Sequence, residues 1–224
     1  MKVILLPLMV YIMLMSSCIK EECKFDYSDY VFEIPSSFSP KKDTFNIGDT
    51  ITISSKFSDV VYDRSTQQEY SLIDFKFYPD FRITKISLDE ADRAAFIRFD
   101  VLLNPDYPLD HFYGPVSKEM HYYGQYQYNN SSYELEFKFV AQDTGLFVFQ
   151  HFTFINSSSN NGQEQEFPGK CKKTGLDIFV NSNNNEDNNI DFLTNSPDEH
   201  YNTWILIKPT ERFYKSGCFA FYVK

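Results

Sequence analysis

From Ser132 to Ala141 the chain alternates without a break: Tyr133, Leu135, Phe137 and Phe139 share one parity, and Glu134, Glu136 and Lys138 share the other. Side chains of an extended strand point to opposite faces at period two, so this run fits a half-buried strand and misfits a helix. Residues 93–103 repeat the pattern, with Ala95, Ile97, Phe99, Val101 and Leu103 opposed to Arg98 and Asp100. Gly145 to Ile155 is apolar on both parities over its first half, which reads as a central strand with both faces covered. Further strands are expected at 30–34, 50–57, 70–78, 81–88, 117–128, 176–180 and 218–223, separated by Pro, Gly, Asn and Asp clusters. The 23 Phe and 16 Tyr suit such strands, and only 8 Gly leave few positions for phosphate-cradling loops. The expected fold is therefore mainly β: a two-sheet antiparallel sandwich, Ig-like or jelly-roll-like. One or two short C-terminal helices are expected, at Pro197 to about Leu206 and at Pro209 to Lys215, the latter stopped by Gly217. Residues 30–224 read as a single domain.

The N-terminus reads as an address. Lys2 opens an uncharged run, Val3 to Met15, that falls well short of the roughly 20 residues a membrane-spanning helix needs. It has the form of a signal-peptide apolar region. Two small residues and a cysteine follow, and Met15-Ser16-Ser17-Cys18 resembles the lipobox of bacterial lipoproteins. That resemblance implies removal of residues 1–17 and a thioether-linked diacylglycerol on Cys18. Residues 18–29 are then a polar tether. Within it Lys20, Glu21 and Glu22 look like the surface-export signal of Bacteroidota-type lipoproteins. Phe45 to Ile51 (FNIGDTI) and Gly217 to Lys224 (GCFAFYVK) look like segments recurring in β-rich lipoproteins of that group, whose functions are mostly unassigned. The resemblance implies an outer-membrane lipid anchor, exposure at the cell surface and a β-rich fold; it implies no reaction.

With 31 acidic against 21 basic residues, the chain carries a formal charge of −10. Phosphate binding needs clustered Lys and Arg, so nucleic acid is not the expected partner. With Cys18 acylated, Cys23, Cys171 and Cys218 remain. In an oxidising compartment three thiols allow one intramolecular disulfide, and Cys171 to Cys218 is the expected pair; other pairings and three free thiols stay open.

Motifs with a strong chemical rationale (GxSxG, HExxH, a Walker loop, GxGxxG) are absent from the sequence, and no cofactor is expected. His111, His121, His151 and His200 show no metal-site spacing, and His151 on its apolar strand reads as a satisfied core histidine. A calcium loop is conceivable in Asn183, Asn185, Asp187 and Asp191, which match oxygen positions 1, 3, 5 and 9 of an EF-hand-like loop. It has Asn188 where the turn glycine belongs and Thr194 in place of the closing Glu. Glycan hydrolysis needs two carboxylates at the correct spatial separation, for which Asp100, Asp106, Asp110, Glu134 and Glu136 are available.

The most suggestive pattern is tyrosine density from Tyr107 to Tyr133. Tyr122, Tyr126 and Tyr128 share strand parity beside Gln125 and Gln127. Facing outward, this parity forms a platform for stacking sugars or a protein; facing inward, it is core. The lone Trp204, in Trp-Ile-Leu-Ile, reads as buried. The function expected is a lipid-anchored binding or accessory protein of the cell envelope, its ligand a glycan or a protein. The alternatives are a structural partner in an outer-membrane assembly and a glycan-active hydrolase. A flat tyrosine patch favours the first, an exposed apolar strand edge the second, and acids clustered in a cleft the third.

Overall fold

The computed structural model describes residues 26–89, 95–115, 119–155, 174–186 and 188–224. Cys18, Lys20, Glu21, Glu22, Cys171 and Asp187 lie outside the described residues. The strands are β1 (Asp26–Ser39), β2 (Thr44–Phe45), β3 (Thr50–Ser58), β4 (Val60–Asp63), β5 (Gln68–Ser71), β6 (Tyr78–Lys85) and β7 (Phe99–Leu102). They continue as β8 (Leu109–Gly114), β9 (Glu119–Gly124), β10 (Gln127–Asn129), β11 (Ser132–Ala141), β12 (Gly145–Phe154), β13 (Thr174–Ser182) and β14 (Phe219–Val223). One sheet runs β10-β11-β3-β1-β4-β5, with β13 beside β1 and β7 beside β11; the second runs β2-β14-β12-β6-β9-β8.

The sheets face each other across an aromatic core. Phe137 of β11 stacks on Phe81 of β6 with centroids 4.7 Å apart, Phe139 meets Phe149 of β12 at 5.6 Å, and Phe38 of β1 stacks on Phe219 of β14 at 4.1 Å. Burial of each such ring stabilises the fold by about 1.5–3 kcal/mol before entropy is counted. The alternation that nominated Ser132–Ala141 is realised as strict buried-and-half-buried alternation along β11. Two left-handed residues, Asn130 (φ 50°) and Ser131 (φ 62°), turn β10 into β11, as a two-residue hairpin requires.

The sandwich is mixed where an antiparallel one was expected: β13 runs parallel to β1, and β2 parallel to β14. These partners are far apart in sequence, so no tight hairpin forces them antiparallel and packing sets their direction. β1 begins at Asp26, inside the expected tether, because it pairs from there with Thr174 of β13. The strand expected over 93–103 is divided: Ala95–Arg98 form a 3-10 turn before β7, burying Ala95 and Phe96 and leaving Ile97 62% exposed. A turn with three residues per repeat does not keep alternate side chains on one face. The expected 70–78 strand breaks after Ser71, and the 117–128 strand breaks between β9 and β10.

The double-sided apolar run in β12 has a physical reason. Phe147 and Phe149 enter the sandwich core, while Val148 faces a second cluster with Ile86, Leu193, Ile205, Phe213 and Ala220. That cluster is roofed by the helical segments His200–Ile205 and Thr210–Tyr214, where helices were expected. Their turns are wide: Lys215 N–H donates to Thr210 O at 2.9 Å and Cys218 N–H to Phe213 O at 3.2 Å, both five residues back. Gly217 ends the second segment at φ +52°, where a Cβ would sit 2.7 Å from Val180 Cγ1.

Of the expected Cys171–Cys218 pair, Cys171 lies outside the described residues, and Cys218 stands as a free thiol. It is 1% exposed inside the second cluster, where it packs as a small apolar side chain. Burial pushes its thiol up to about 12, so it is protonated and inert. Among the described residues no helix is long and apolar enough to cross a membrane.

Candidate interaction surface

The tyrosine parity faces inward. Tyr126 is 2% exposed, ringed by Phe57 and Phe77, and its hydroxyl lies 3.2 Å from His151 Nε2. Tyr122 packs edge-on against Phe96 and tilted on Phe137, and Tyr128 donates to Asp59 Oδ2 at 2.7 Å. Gln125 is exposed and Gln127 half-buried, with no tyrosine platform beneath them. The chain bends at residues 125–126, between β9 and β10, and Tyr126 N–H donates to Phe77 O at 3.0 Å, directing the ring between the sheets. The platform of Tyr122, Tyr126 and Tyr128 is thus core. His151 is a satisfied core histidine, as its apolar strand suggested: Ser36 Oγ lies 3.0 Å from Nδ1, and Thr153 Oγ1 shares the Nε2 side at 3.3 Å.

The calcium loop is arranged for other work. Asn183 Oδ1 accepts from Phe38 N–H at 3.1 Å, and its Nδ2 donates to Asn188 Oδ1 at 3.2 Å, so this first oxygen position ties the loop to β1. Asn185 sits in a 3-10 turn, Asp191 is exposed, and Asn188 supplies the left-handed turn (φ 52°) that a glycine would otherwise make. Among the described residues no group of three His, Cys, Asp or Glu is placed to hold a metal.

What the fold does display is the outer face of the second sheet. Its β14 and β12 half is roofed by the helical segments. The β6, β9 and β8 half, with the end of β12, is not roofed by them, and alternate residues of four strands converge there: Asp80 and Arg82, Glu119 and His121, Phe112, and Phe152 and Phe154. Arg82 Nη2 donates to Asp80 Oδ2 at 2.9 Å, its Nη1 lies 3.6 Å from Glu119, and its guanidinium sits 4.6 Å above the Phe152 ring. His121 Nδ1 lies 3.0 Å from Asp80 Oδ1 and its Nε2 3.5 Å from Glu119. The hydrogen bond to Asp80, with that to Glu119, holds His121 up to about 9, so both ring nitrogens donate at neutral pH. Burial works to raise the Asp80 carboxyl, but hydrogen bonds from His121 and Arg82 outweigh it and leave it lowered. Around this network Phe112 is 55%, Phe154 47% and Tyr123 39% exposed.

The surface continues onto the helical roof. A pocket of about 130 Å³, lined by Thr84, Glu119, Asp198, His200 and Tyr201, joins the two. His200 stacks on Trp204 with ring centroids 4.8 Å apart, and the Arg212 guanidinium lies 3.8 Å over the same indole. The expectation that Trp204 is buried fails: it is 47% exposed. Tyr201 and Ile205 turn into the cluster, and their spacing of four leaves Trp204 on the outside. Arg212, half-buried, donates from Nη1 to Trp204 O and has no carboxylate partner among the described residues, which leaves the rest of its guanidinium for one beside an aromatic ring.

A second feature is a polar crevice of about 440 Å³ on the first sheet, lined by Ser37, Ser54, Lys41, Lys56, Asn183 and Glu186 among others. The β1–β3 ladder runs from Ser39–Thr52 to Ser37–Ser54 and stops there. Pro35 has no N–H to continue it, so the strands part.

No family model and no curated protein matches the chain. Among solved structures, it is similar to the second type II cohesin module of the adaptor ScaA scaffoldin of Acetivibrio cellulolyticus, at 9% identity and a TM-score of 0.32, over 66% of this chain and 92% of that one. It is also similar to AvmM, which catalyses macrocyclization in alchivemycin A biosynthesis, at 10% identity and a TM-score of 0.32, over 66% and 83%. Overlaps this slight bear on neither the activity nor the partners of this chain.

Proposed function

We propose that this protein is a lipid-anchored binding module of the outer membrane, facing the cell exterior, which holds a protein partner on the outer face of its second sheet. The observation that carries the reading is the displayed Trp204–Arg212 stack, continuous through His200 with the Arg82–Phe152 network and its exposed phenylalanines. Trp, Tyr, Phe and Arg are the residues enriched at the energetic centres of protein interfaces. Each cation over a ring adds about 0.5–1 kcal/mol at an exposed site and more once desolvated. The partner that fits is an apolar protein patch carrying a carboxylate for Arg212. The surface acids Asp80 and Glu119 are engaged by Arg82 and His121, which suits binding better than acid–base chemistry. The crevice beside Ser37 and Ser54 supports a second reading, a glycan ligand held by hydroxyls and amides.

A photo-crosslinking residue at Trp204 or Phe154, introduced in intact cells, is expected to yield one discrete higher-mass adduct. The same residue at Tyr62, on the outer face of the first sheet, is expected to yield none. Equal labelling at all three positions overturns the protein reading, and no adduct at any of them leaves the crevice as the stronger site. The anchor has its own test. Cys18→Ala is expected to move the protein from the detergent phase to the aqueous phase, because acyl chains supply the bilayer affinity. A variant that keeps its detergent partitioning with unmodified mass shows that another segment anchors it.

A further inference from the structure

Among the described residues β8 is the terminal strand of its sheet, and Asp110–Tyr113 are exposed in succession, with Phe112 55% and Tyr113 47% accessible on opposite faces. A free edge presents unpaired N–H and C=O groups to any passing strand, and proteins usually blunt it with lysine, proline or a bulge. This strand contains no lysine and no proline, and its ladder to β9 runs in register from Leu109 to Gly114. Asp110 is its single carboxylate.

We propose that β8 pairs antiparallel with β8 of a second copy of this chain, on a twofold axis through Phe112. The strand's own sequence selects that centre. Residues opposed in an antiparallel pair point to the same face, with Cβ atoms about 4.5–5.5 Å apart. Centring on Phe112 places it against the partner's Phe112 on the outer face, and sets His111 against the partner's Tyr113 on the inner face. Asp110 then faces the partner's Gly114, so no like charges are directly opposed. Centring on His111 instead would oppose two histidines and set each Asp110 against a phenylalanine. The register on Phe112 also joins the two outer faces into one continuous sheet, doubling the aromatic surface described above. The pairing does not depend on what that surface binds.

The interface is small. A six-residue ladder with two exposed aromatics per copy falls below the roughly 1,200 Å² of a stable complex, so a weak, reversible dimer follows. The charge of −10 on each copy opposes association at long range, and salt screens it within about 8 Å at physiological strength. Added salt therefore strengthens the dimer.

The register gives a selective test on the full chain in neutral detergent. Phe112→Cys is expected to cross-link to itself about tenfold faster than Asp110→Cys, since a disulfide needs Cα atoms within about 7 Å. Two copies of position 110 lie offset by four residues, about 13 Å along the ladder. Equal rates at the two positions, or a rate at Phe112→Cys no higher than that of the unsubstituted chain with its own thiols, overturn the proposal. Should either variant misfold by circular dichroism, sedimentation of the unsubstituted chain decides: a monomer at every concentration and salt overturns it, and a dimer weakened by Phe112→Lys supports it.

Discussion

Lowering the pH from 7 to 5 is expected to destabilise the fold by about 2 kcal/mol through His151 alone. The imidazole is fully buried between the sheets, and burial pushes it down to about 3, so the folded chain holds it neutral. The unfolded chain takes up that proton near pH 6.5. The contribution is therefore complete above pH 6.5 and is lost progressively as the pH falls toward 3. The carboxylates of Asp80 and Asp143 have lowered pKa values and are still ionised at pH 5, so they do not account for this loss. His121 acts in the opposite sense. Held charged by Asp80 and Glu119 up to about 9, it stabilises the fold fully below pH 6.5 and loses that contribution as the pH rises from 6.5 to 9. Stability should peak near neutrality and fall on both sides. Urea unfolding across this range checks it, with His151→Gln lowering the absolute stability yet flattening the acid limb. Parallel acid limbs for the two proteins would show that another group titrates.

Replacing Tyr126 with alanine is expected to cost about 3–5 kcal/mol, the range for removing a buried aromatic ring. The ring is 2% exposed between Phe57 and Phe77, and its loss leaves a cavity that β-strands on both sides cannot close. Tyr126→Phe keeps the volume and removes the hydroxyl beside His151 Nε2, for about 1–2 kcal/mol. Neither variant alters the outer surface, so partner cross-linking at Trp204 should survive in whatever fraction stays folded. Thermal or urea unfolding measures both. A near-native midpoint for Tyr126→Ala would place the ring at the surface and restore the stacking platform.

The strands were legible because alternation is local. In β11 the parity of Tyr133, Leu135, Phe137 and Phe139 is the parity of burial, and each strand carries that information within its own residues. The apolar double face of β12 likewise announced that something covers Val148, and the short helices after Pro197 were legible from their flanking residues. Alternation failed at Ala95–Arg98, where a 3-10 turn replaced the pleat, and the apolar run from Trp204 to Ile207 misled on Trp204, which stands outward while Tyr201 and Ile205 turn into the cluster.

What the chain determined by itself was the number and kind of its faces: aromatic parity toward a core and polar parity toward water. Only the tertiary structure decided which faces meet. Asp80, Arg82, His121 and Phe152 come from three strands, and no spacing in the sequence links them, because their neighbourhood is created by strand order. The direction of the Tyr126 ring was settled the same way, by whether the opposite sheet offered His151 and a packed cavity or solvent. A side chain's parity is a property of its own strand, whereas its environment belongs to whichever strand the fold sets across from it.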